Sequence, residues 1–230
     1  MSNTSVTVNL FGGPGDSVDI NLLASAAALV GSSSLAPGNA IIQNASVSVF
    51  GGSGNDTANI TFDAFGTTQS HLTNNNVTLQ GGAGSDTFDL SFQGGTVKSN
   101  NISFDGGQGA DHLTIHITAT SLTATAATNN TLTMSYNSTA DFGDTLTVSG
   151  TAAPNLALAF NTASFGTTAV THVFAGGTGV DTGTHFGVYA GAVWYDADGF
   201  NTGATAQQVV AITGAVTATT AVHAANISLV

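Results

Sequence analysis

The 230-residue chain contains no cysteine and no glutamate, and Lys98 is its only basic residue. Disulfide bonds are therefore excluded. The same absences remove the HExxH motif of zinc proteases, cysteine nucleophiles and glutamate-based acid–base pairs, so we predict that the protein is not an enzyme. The formal net charge is −12 at pH 7, which should repel nucleic acids and anionic membrane surfaces.

The sequence shows neither a cleavable signal peptide nor a membrane-spanning run. Its start, MSNTSVTVNL, lacks a basic region followed by an apolar stretch. The longest apolar run, from Leu22 to Val30 with one Ser inside, is too short to cross a bilayer. Because 42% of the residues are hydrophobic, the chain can bury a core, and we expect a folded protein without membrane insertion.

One six-residue pattern, a glycine-rich turn closed by Asp, occurs four times: GGSGND, GGAGSD, GGQGAD and GGTGVD. Glycine lets the backbone bend through positive φ and turn carbonyl oxygens toward one point, where the Asp adds a carboxylate. Clustered hard oxygens suit Ca²⁺. A single copy is equally compatible with an ordinary hairpin, but repetition favours stacked turns. The candidate ligands are Gly51, Gly54, Asp56, Gly81, Gly84, Asp86, Gly106, Gly109, Asp111, Gly176, Gly179 and Asp181, with Asp16 from the shortened copy GGPGD.

Strand patterns of period two flank these turns, with apolar residues alternating with Ser, Thr, Asn and Asp. Strands and turns repeated in this way predict an all-β fold, a parallel β-solenoid or β-roll with Ca²⁺-binding glycine-rich turns. The long gap between Asp111 and Asp181 contains DFGDTLTV, whose Asp144 we interpret as a degenerate turn without its leading glycines.

The GGxGxD turns followed by alternating apolar positions resemble the repeats-in-toxin (RTX) family. In that family, loops from neighbouring coils of a parallel β-roll hold Ca²⁺ through turn carbonyls and the closing carboxylate. Only one turn per coil is found here, so we expect a broader solenoid with a single Ca²⁺ column along one edge. Because the copies at Asp16 and Asp144 are incomplete, metal binding stays open at both.

The last residues resemble the carboxy-terminal module of type I secretion substrates, and the terminus NISLV is similar to their uncleaved export signals. We therefore divide the chain into a solenoid, residues 1–181, and a β-rich cap with the secretion signal, residues 182–230. The resemblance implies an extracellular or cell-surface location. Asp196 and Asp198 in the sequence DADG either form a hairpin turn or hold a further cation.

Two further patterns concern His and Asn residues. His112 and His116 fall on one face of a predicted strand, about 13 Å apart, and so cannot share a metal ion. A Ser-His-Asp triad assembled by folding stays open. Asn residues that precede the strands either form amide ladders between coils or are ordinary loop residues: Asn44, Asn76, Asn101, Asn130 and Asn155.

These observations predict a secreted Ca²⁺-binding structural protein that self-assembles into a surface layer, a filament or an extracellular matrix, as RTX-type surface-layer proteins do. The expected partners are other copies of the chain and a cell-surface polysaccharide. The opening strand SVTVNLF carries no gatekeeping charge, which favours head-to-tail stacking of solenoid ends. The alternatives are an adhesin or carbohydrate-binding module that uses an exposed Thr and Asn face, and a fragment of a larger RTX enzyme.

Overall fold

The computed structural model describes residues 4–9, 15–25, 40–65, 70–121, 127–165, 173–175, 186–189, 191–197, 206–214 and 227–230. Most of these residues lie in β-strands, which confirms the predicted all-β class. No helix in these ranges is long and apolar enough to span a membrane. The elements are β1 (Ser5–Asn9), β2 (Ser17–Ser25), β3 (Ile41–Gln43), β4 (Ser46–Ser53), β5 (Thr57–Phe65), β6 (His71–Thr73), β7 (Asn76–Ala83), β8 (Thr87–Gly94), β9 (Thr96–Lys98), β10 (Asn101–Gln108), β11 (His112–Ala119), β12 (Ala127–Thr128), β13 (Thr131–Tyr136), a 3₁₀ turn (Thr139–Asp141), β14 (Asp144–Gly150), β15 (Asn155–Phe160), α1 (Thr162–Phe165), β16 (Val173–Ala175), β17 (Phe186–Tyr189), β18 (Ala192–Tyr195), β19 (Gln207–Gly214) and β20 (Ile227–Leu229).

The strands form three sheets. The first sheet has the order β1-β4-β7-β10-β13-β15-β20, the second β16-β17-β18-β19-β14-β11-β8-β5-β2, and the third β12-β9-β6-β3. All pairs among β1 to β15 are parallel, as predicted. We call each successive visit to the sheets a layer: layer 1 is β1 and β2, layer 2 is β3 to β5, layer 3 is β6 to β8, layer 4 is β9 to β11, and layer 5 is β12 to β14.

Apolar columns run through the layers, because alternate residues of each strand point inward. In the first sheet, Val77 lies beside Val47 on one side and Ile102 on the other. All three side chains are buried. The second sheet forms a similar buried column from Ile20, Ile60, Leu90, Ile115 and Val148.

The third sheet was not predicted from the sequence. Its strands β3, β6 and β9 have three residues each, and only the central one is buried: Ile42, Leu72 and Val97. A strand with a single buried residue shows no period, so the pattern could not reveal it.

The two ends of the sheets differ. At the carboxy-terminal end, β17, β18 and β19 form an antiparallel meander, and β19 pairs in parallel with β14. β20 pairs in parallel with β15. Strands from residues 182–230 thus extend sheets begun by residues 1–181, and the domain boundary stays a prediction. At the opposite end, β1 and β2 are the outermost strands of the first and second sheets among the described residues.

Candidate metal site at the glycine turns

Each of three glycine turns forms the corner between the first and second sheets. Residues 51–56 lead from β4 to β5, residues 81–86 from β7 to β8, and residues 106–111 from β10 to β11. The second and third glycines have the positive φ that the sequence predicts, for example +106° at Gly82 and +140° at Gly84. The same corner therefore recurs in layers 2, 3 and 4.

The corners stack so closely that side chains do not fit between them. A Cβ atom on Gly82 would collide with the carbonyl oxygen of Gly52 in the preceding layer, and one on Gly84 with that of Gly54. The turn of layer 4 repeats both contacts one layer further on. Glycine is therefore required here by the approach of neighbouring main chains as well as by φ.

The closing Asp residues form a buried ladder along this corner. Asp56 Oδ1 accepts the backbone N–H of Asp16 at 2.8 Å, and Asp86 Oδ1 accepts that of Asp56 at 2.7 Å. Asp111 Oδ1 accepts the N–H of Asp86 at 2.7 Å, and Asp144 Oδ1 accepts that of Asp111 at 3.0 Å. Each carboxylate thus fixes the turn of the preceding layer.

The second carboxylate oxygen of three ladder members is left without a partner. Asp56, Asp86 and Asp111 are at most 2% exposed, and their Oδ2 atoms are buried with no hydrogen-bond partner among the described residues. An unpaired buried carboxylate oxygen is costly, because it has lost water without gaining a donor or a cation.

The unpaired oxygens lie against the first glycine of each turn. A Cβ atom on Gly81 would meet both Asp86 Oδ2 and the carbonyl oxygen of Gly106 in the next layer. At Gly51 the same position lies 2.7 Å from Asp56 Oδ2 and also meets the Gly81 carbonyl oxygen. We call the place beside the first glycine, where the carboxylate of the same turn lies, the cradle. At Gly51 and Gly81 a carbonyl oxygen of the next layer converges on it, and at Gly106 the nearest atoms all belong to Asp111.

The ladder carboxyls are electrostatically unfavourable when charged. Burial raises the pKa of Asp86, and the neighbouring charge of Asp56 adds to the rise. Burial raises the pKa of Asp111 to about 6 and that of Asp144 to about 8, while the ladder hydrogen bonds act in the opposite direction. A cation beside the carboxylates would offset both the lost hydration and the repulsion.

The oxygens at the cradles fit a hard cation. Within the described ranges, no group of three or more His, Cys, Asp or Glu side chains could hold a metal ion by itself. A cation here would be held by the carboxylates of Asp56, Asp86 and Asp111 together with turn carbonyls. Carboxylate and carbonyl oxygens are the ligands that Ca²⁺ takes, whereas Zn²⁺ prefers nitrogen and sulfur.

The remaining predicted site residues lie apart from this set or outside the described residues. Asp16 is half-buried and takes part in the ladder only through its N–H. Asp196 is buried at the end of β18. Asp198 and the fourth complete turn, with Gly176, Gly179 and Asp181, are outside the described residues.

The turn of layer 5, residues 136–144, also contributes a ladder residue, Asp144, but it is built differently; we call it the fifth turn. It starts with Tyr136 instead of glycine and contains the 3₁₀ turn. Asp141 closes a capping box: its Oδ2 accepts the N–H groups of Asn137 and Ser138 at 2.7 and 2.9 Å. Local side-chain hydrogen bonds therefore shape this turn, where layers 2 to 4 use glycine.

Sequence reasoning missed Asp105, which lies beside the fifth turn. Its Oδ2 accepts a hydrogen bond from Asn137 Nδ2 at 3.1 Å, and its Oδ1 is buried without a partner in the described ranges. Burial raises the pKa of Asp105, and the charge of Asp141 adds to the rise. The sequence did contain a signal, because Asp105 directly precedes a glycine pair where the other two turns have Phe50 and Gln80.

Amide ladders are present, but the buried one uses Asn75 and Asn100, each one position before a predicted residue, together with the predicted Asn130. Asn75 donates to Asn100 Oδ1 at 2.9 Å through its side chain, and Asn100 donates to Asn130 Oδ1 at 2.9 Å. All three side chains are buried. Of the predicted residues, Asn130 belongs to this ladder, while Asn76 and Asn101 form an exposed hydrogen bond of 3.1 Å.

His112 and His116 lie on the outward face of β11, as predicted. His116 Nδ1 lies 2.9 Å from Ser149 Oγ, and its Nε2 lies 2.6 Å from Thr118 Oγ1. A triad requires a carboxylate on the second ring nitrogen, and His116 has a hydroxyl there. This His–Ser contact therefore does not form a catalytic triad.

Comparison of the chain with protein-family models, with curated proteins and with solved structures gives no significant match.

Proposed function

We propose that the layers form a parallel β-solenoid of the RTX type and that Ca²⁺ binds in a column at the cradles of layers 2 to 4. One observation carries the proposal: three successive Asp Oδ2 atoms are buried and have no partner in the described part of the chain, and each lies beside the first glycine of its turn. The donor set and its repetition along one edge match the requirements of a hard cation. The glycines that line each cradle are those that the sequence pattern selects.

Ca²⁺ would act mainly on folding. Extracellular Ca²⁺ modules bind with dissociation constants of about 10⁻⁴ to 10⁻³ M, so such sites stay empty in the cytosol and fill outside the cell. A ladder of uncompensated carboxylates would keep the chain from folding before export, and the ion would then stabilise the stacked turns. The proposal assigns a type I exported, extracellular role and includes no catalytic step.

The same architecture supports assembly into a larger structure. Outermost strands β1 and β2 have outward edges with no paired strand in the described part of the chain, and neither contains Pro or Lys. Such edges accept strands from other chains. Head-to-tail contact between unlike ends is heterologous and produces filaments or layers. We therefore propose a structural protein of a surface layer, a filament or an extracellular matrix.

Two measurements test the proposal together. Far-ultraviolet circular dichroism should show less β-structure in a chelator than in millimolar Ca²⁺, and light scattering should show assembly only with Ca²⁺. Replacing Val6 with Lys should reduce assembly while leaving Ca²⁺ binding intact. Equal β content in both conditions contradicts the metal column. A folded, monomeric protein at high concentration in Ca²⁺ contradicts the assembly role.

A polysaccharide-binding role is the second candidate. The outward face of the first sheet carries a row of exposed or partly exposed amide and hydroxyl side chains, in which Asn76, Asn101 and Thr131 are neighbours. Carbohydrate sites commonly also use aromatic side chains, and no aromatic side chain is exposed among the described residues. Retention on an insoluble polysaccharide that is lost on replacing Asn101 and Thr131 would favour this role over assembly.

A further inference from the structure

The fifth turn carries the Asp ladder without the feature that marks the other three. The Oδ2 atoms of Asp56, Asp86 and Asp111 are buried and unpaired within the described residues, whereas Asp144, also buried, does not have an orphaned oxygen of this kind. The turns of layers 2 to 4 begin with glycine, and the fifth turn, in layer 5, begins with Tyr136. The unpaired oxygen therefore occurs where the first residue of the turn is glycine.

Continuing the strand register by two residues aligns Tyr136 with Gly106 of layer 4. β10 and β13 pair in parallel with Phe104 beside Met134, and Gly106 and Tyr136 each follow two residues later. A Cβ atom on Gly106 would meet the carboxylate of Asp111, the ladder residue of its own layer. The Tyr136 side chain therefore starts from the position in layer 5 that corresponds to the cradle of layer 4.

The Tyr136 ring is buried and held by neighbouring aromatic rings. Its side chain is 1% exposed, stacks on Phe160 with ring centroids 5.2 Å apart, and meets the edge of Phe142 at 5.9 Å. The hydroxyl lies near the Asp144 carboxyl, close enough to interact with it, but outside hydrogen-bond geometry. A small movement of the ring or of Asp144 would give the hydroxyl an acceptor.

We propose that Tyr136 takes the place of a bound cation at the fifth turn: its ring fills the cradle, its hydroxyl faces Asp144, and the Ca²⁺ column ends at Asp111. This inference rests on the proposed Ca²⁺ column. The fifth turn is then held by side chains alone, through Tyr136 and through the capping box of Ser138 and Asp141. Layers 2 to 4 need the ion to form their corner, and layer 5 does not.

Aromatic packing around the fifth turn supports a part of the fold that is independent of metal. Phe142 stacks on Phe165 at 5.6 Å, and Phe160 contacts Phe186 at 4.4 Å. Tyr195 meets Phe165 edge to face at 5.3 Å. These rings join layer 5 to β15, α1, β17 and β18, so the stable unit includes the carboxy-terminal strands. Layer 5 then serves as the folded base on which layers 4, 3 and 2 are added as their cradles fill.

Hydrogen exchange measured by mass spectrometry on the full chain tests this inference directly. In chelator, peptides from residues 131–160 should keep most of their protection, while peptides from residues 76–111 should lose it and regain it on addition of Ca²⁺. Equal loss in both regions overturns the inference and leaves the Ca²⁺ column intact. Full protection of both regions in chelator contradicts the Ca²⁺ column itself, and the inference with it.

Ca²⁺ stoichiometry gives a second, independent test. Asp111→Asn should reduce the number of bound ions by one, whereas Asp144→Asn should leave it unchanged. Asp89→Asn, on the exposed face of β8, is the matched control for loss of one charge. If Asp144→Asn loses an ion as Asp111→Asn does, the fifth turn binds metal and the inference is wrong.

Variants of Tyr136 separate the ring from the hydroxyl. Tyr136→Phe keeps the ring, so the ion count should not change, but the protection of residues 144–150 in chelator should fall. Tyr136→Gly restores the glycine of the other turns and should add one bound ion if the protein folds. A Phe variant with unchanged protection in chelator would show that the hydroxyl does not replace the ion.

Discussion

The same Asp ladder runs through layers 2 to 4 and layer 5, but the turns in these two regions are built from different residues. The turns of layers 2 to 4 begin with glycine, and the Oδ2 atoms of Asp56, Asp86 and Asp111 have no partner among the described residues. The fifth turn begins with the buried Tyr136 and shapes its main chain with a capping box. Under the proposed Ca²⁺ column, this difference means that one backbone corner is completed by an ion in layers 2 to 4 and by side chains in layer 5.

Glycine substitutions should separate the two kinds of turn most strongly. Gly84 and Gly143 both have positive φ, +140° and +105°, but a Cβ atom would collide with the Gly54 carbonyl at Gly84 and would only touch Ala110 Cβ, at 3.5 Å, at Gly143. We expect Gly143→Ala to cost about 1 kcal/mol from backbone strain, and Gly84→Ala at least about 3 kcal/mol because overpacking adds to it. Urea unfolding in saturating Ca²⁺ measures both. Equal costs would show that the stacked main chains do not define the glycine turns.

The pH dependence without metal should come next in size. In the folded state the pKa of Asp111 is raised to about 6 and that of Asp144 to about 8, from 3.8. Since folding raises these pKa values, the carboxyls stabilise the metal-free fold below about pH 4, and this contribution is lost as the pH rises through about 6 and about 8. The free energy of unfolding in chelator should therefore fall from about pH 4 to about pH 8 and then level off.

The two regions should lose this contribution over different pH ranges. Exchange protection around Asp111 should stop falling above about pH 6, whereas that around Asp144 should continue to fall up to about pH 8, because the pKa of Asp144 is higher. Saturating Ca²⁺ should reduce the pH dependence of exchange protection around Asp111 and leave the pH dependence around Asp144 unchanged. Stability in chelator that rises with pH would contradict the assignment of both buried carboxyls.

Substitutions in the buried Asn ladder should have the smallest effect on stability. This ladder is common to both regions. It runs from Asn75 in layer 3 to Asn130 in layer 5. Asn100→Ala leaves the Asn75 N–H without its acceptor and should cost about 1–3 kcal/mol, equally with and without Ca²⁺. The matched change Asn101→Ala, on the exposed face, should cost less than about 0.5 kcal/mol. A cost for Asn100→Ala that depends on Ca²⁺ would show that the two ladders are coupled.

The sequence predicted the glycine turns and the long strands because both repeat strong local signals. Positive φ at Gly82 and Gly84 follows from the glycine pattern, and the buried column through Val47, Val77 and Ile102 follows from period two. The third sheet was missed, and the buried Asn ladder was misplaced by one residue at two of its members. A strand of three residues has no period, and the choice between Asn75 and Asn76 depends on which of two adjacent residues turns inward.

Tyr136 could not be assigned from the sequence, since its position opposite Gly106 depends on the pairing of β10 with β13. By sequence it is the last residue of an ordinary period-two strand. The role proposed for Tyr136 depends on comparison with the layer before it, where glycine stands at the corresponding position. A relation between layers of this kind becomes visible only once the strands are in register.

The Asp ladder also has a consequence for how the chain tolerates changes in length. Its hydrogen bonds join residues that are 40, 30 and 25 positions apart, yet each runs from a backbone N–H to an Asp Oδ1 at 2.7 to 2.8 Å. The surplus residues fall mainly between the end of a second-sheet strand and the start of the next third-sheet strand, as between β2 and β3. Lengthening such a connection costs little entropy. Insertions between these strands, including whole foreign peptides, should therefore be accepted without moving the glycine corner, which makes these connections the natural place for display or for evolutionary diversification.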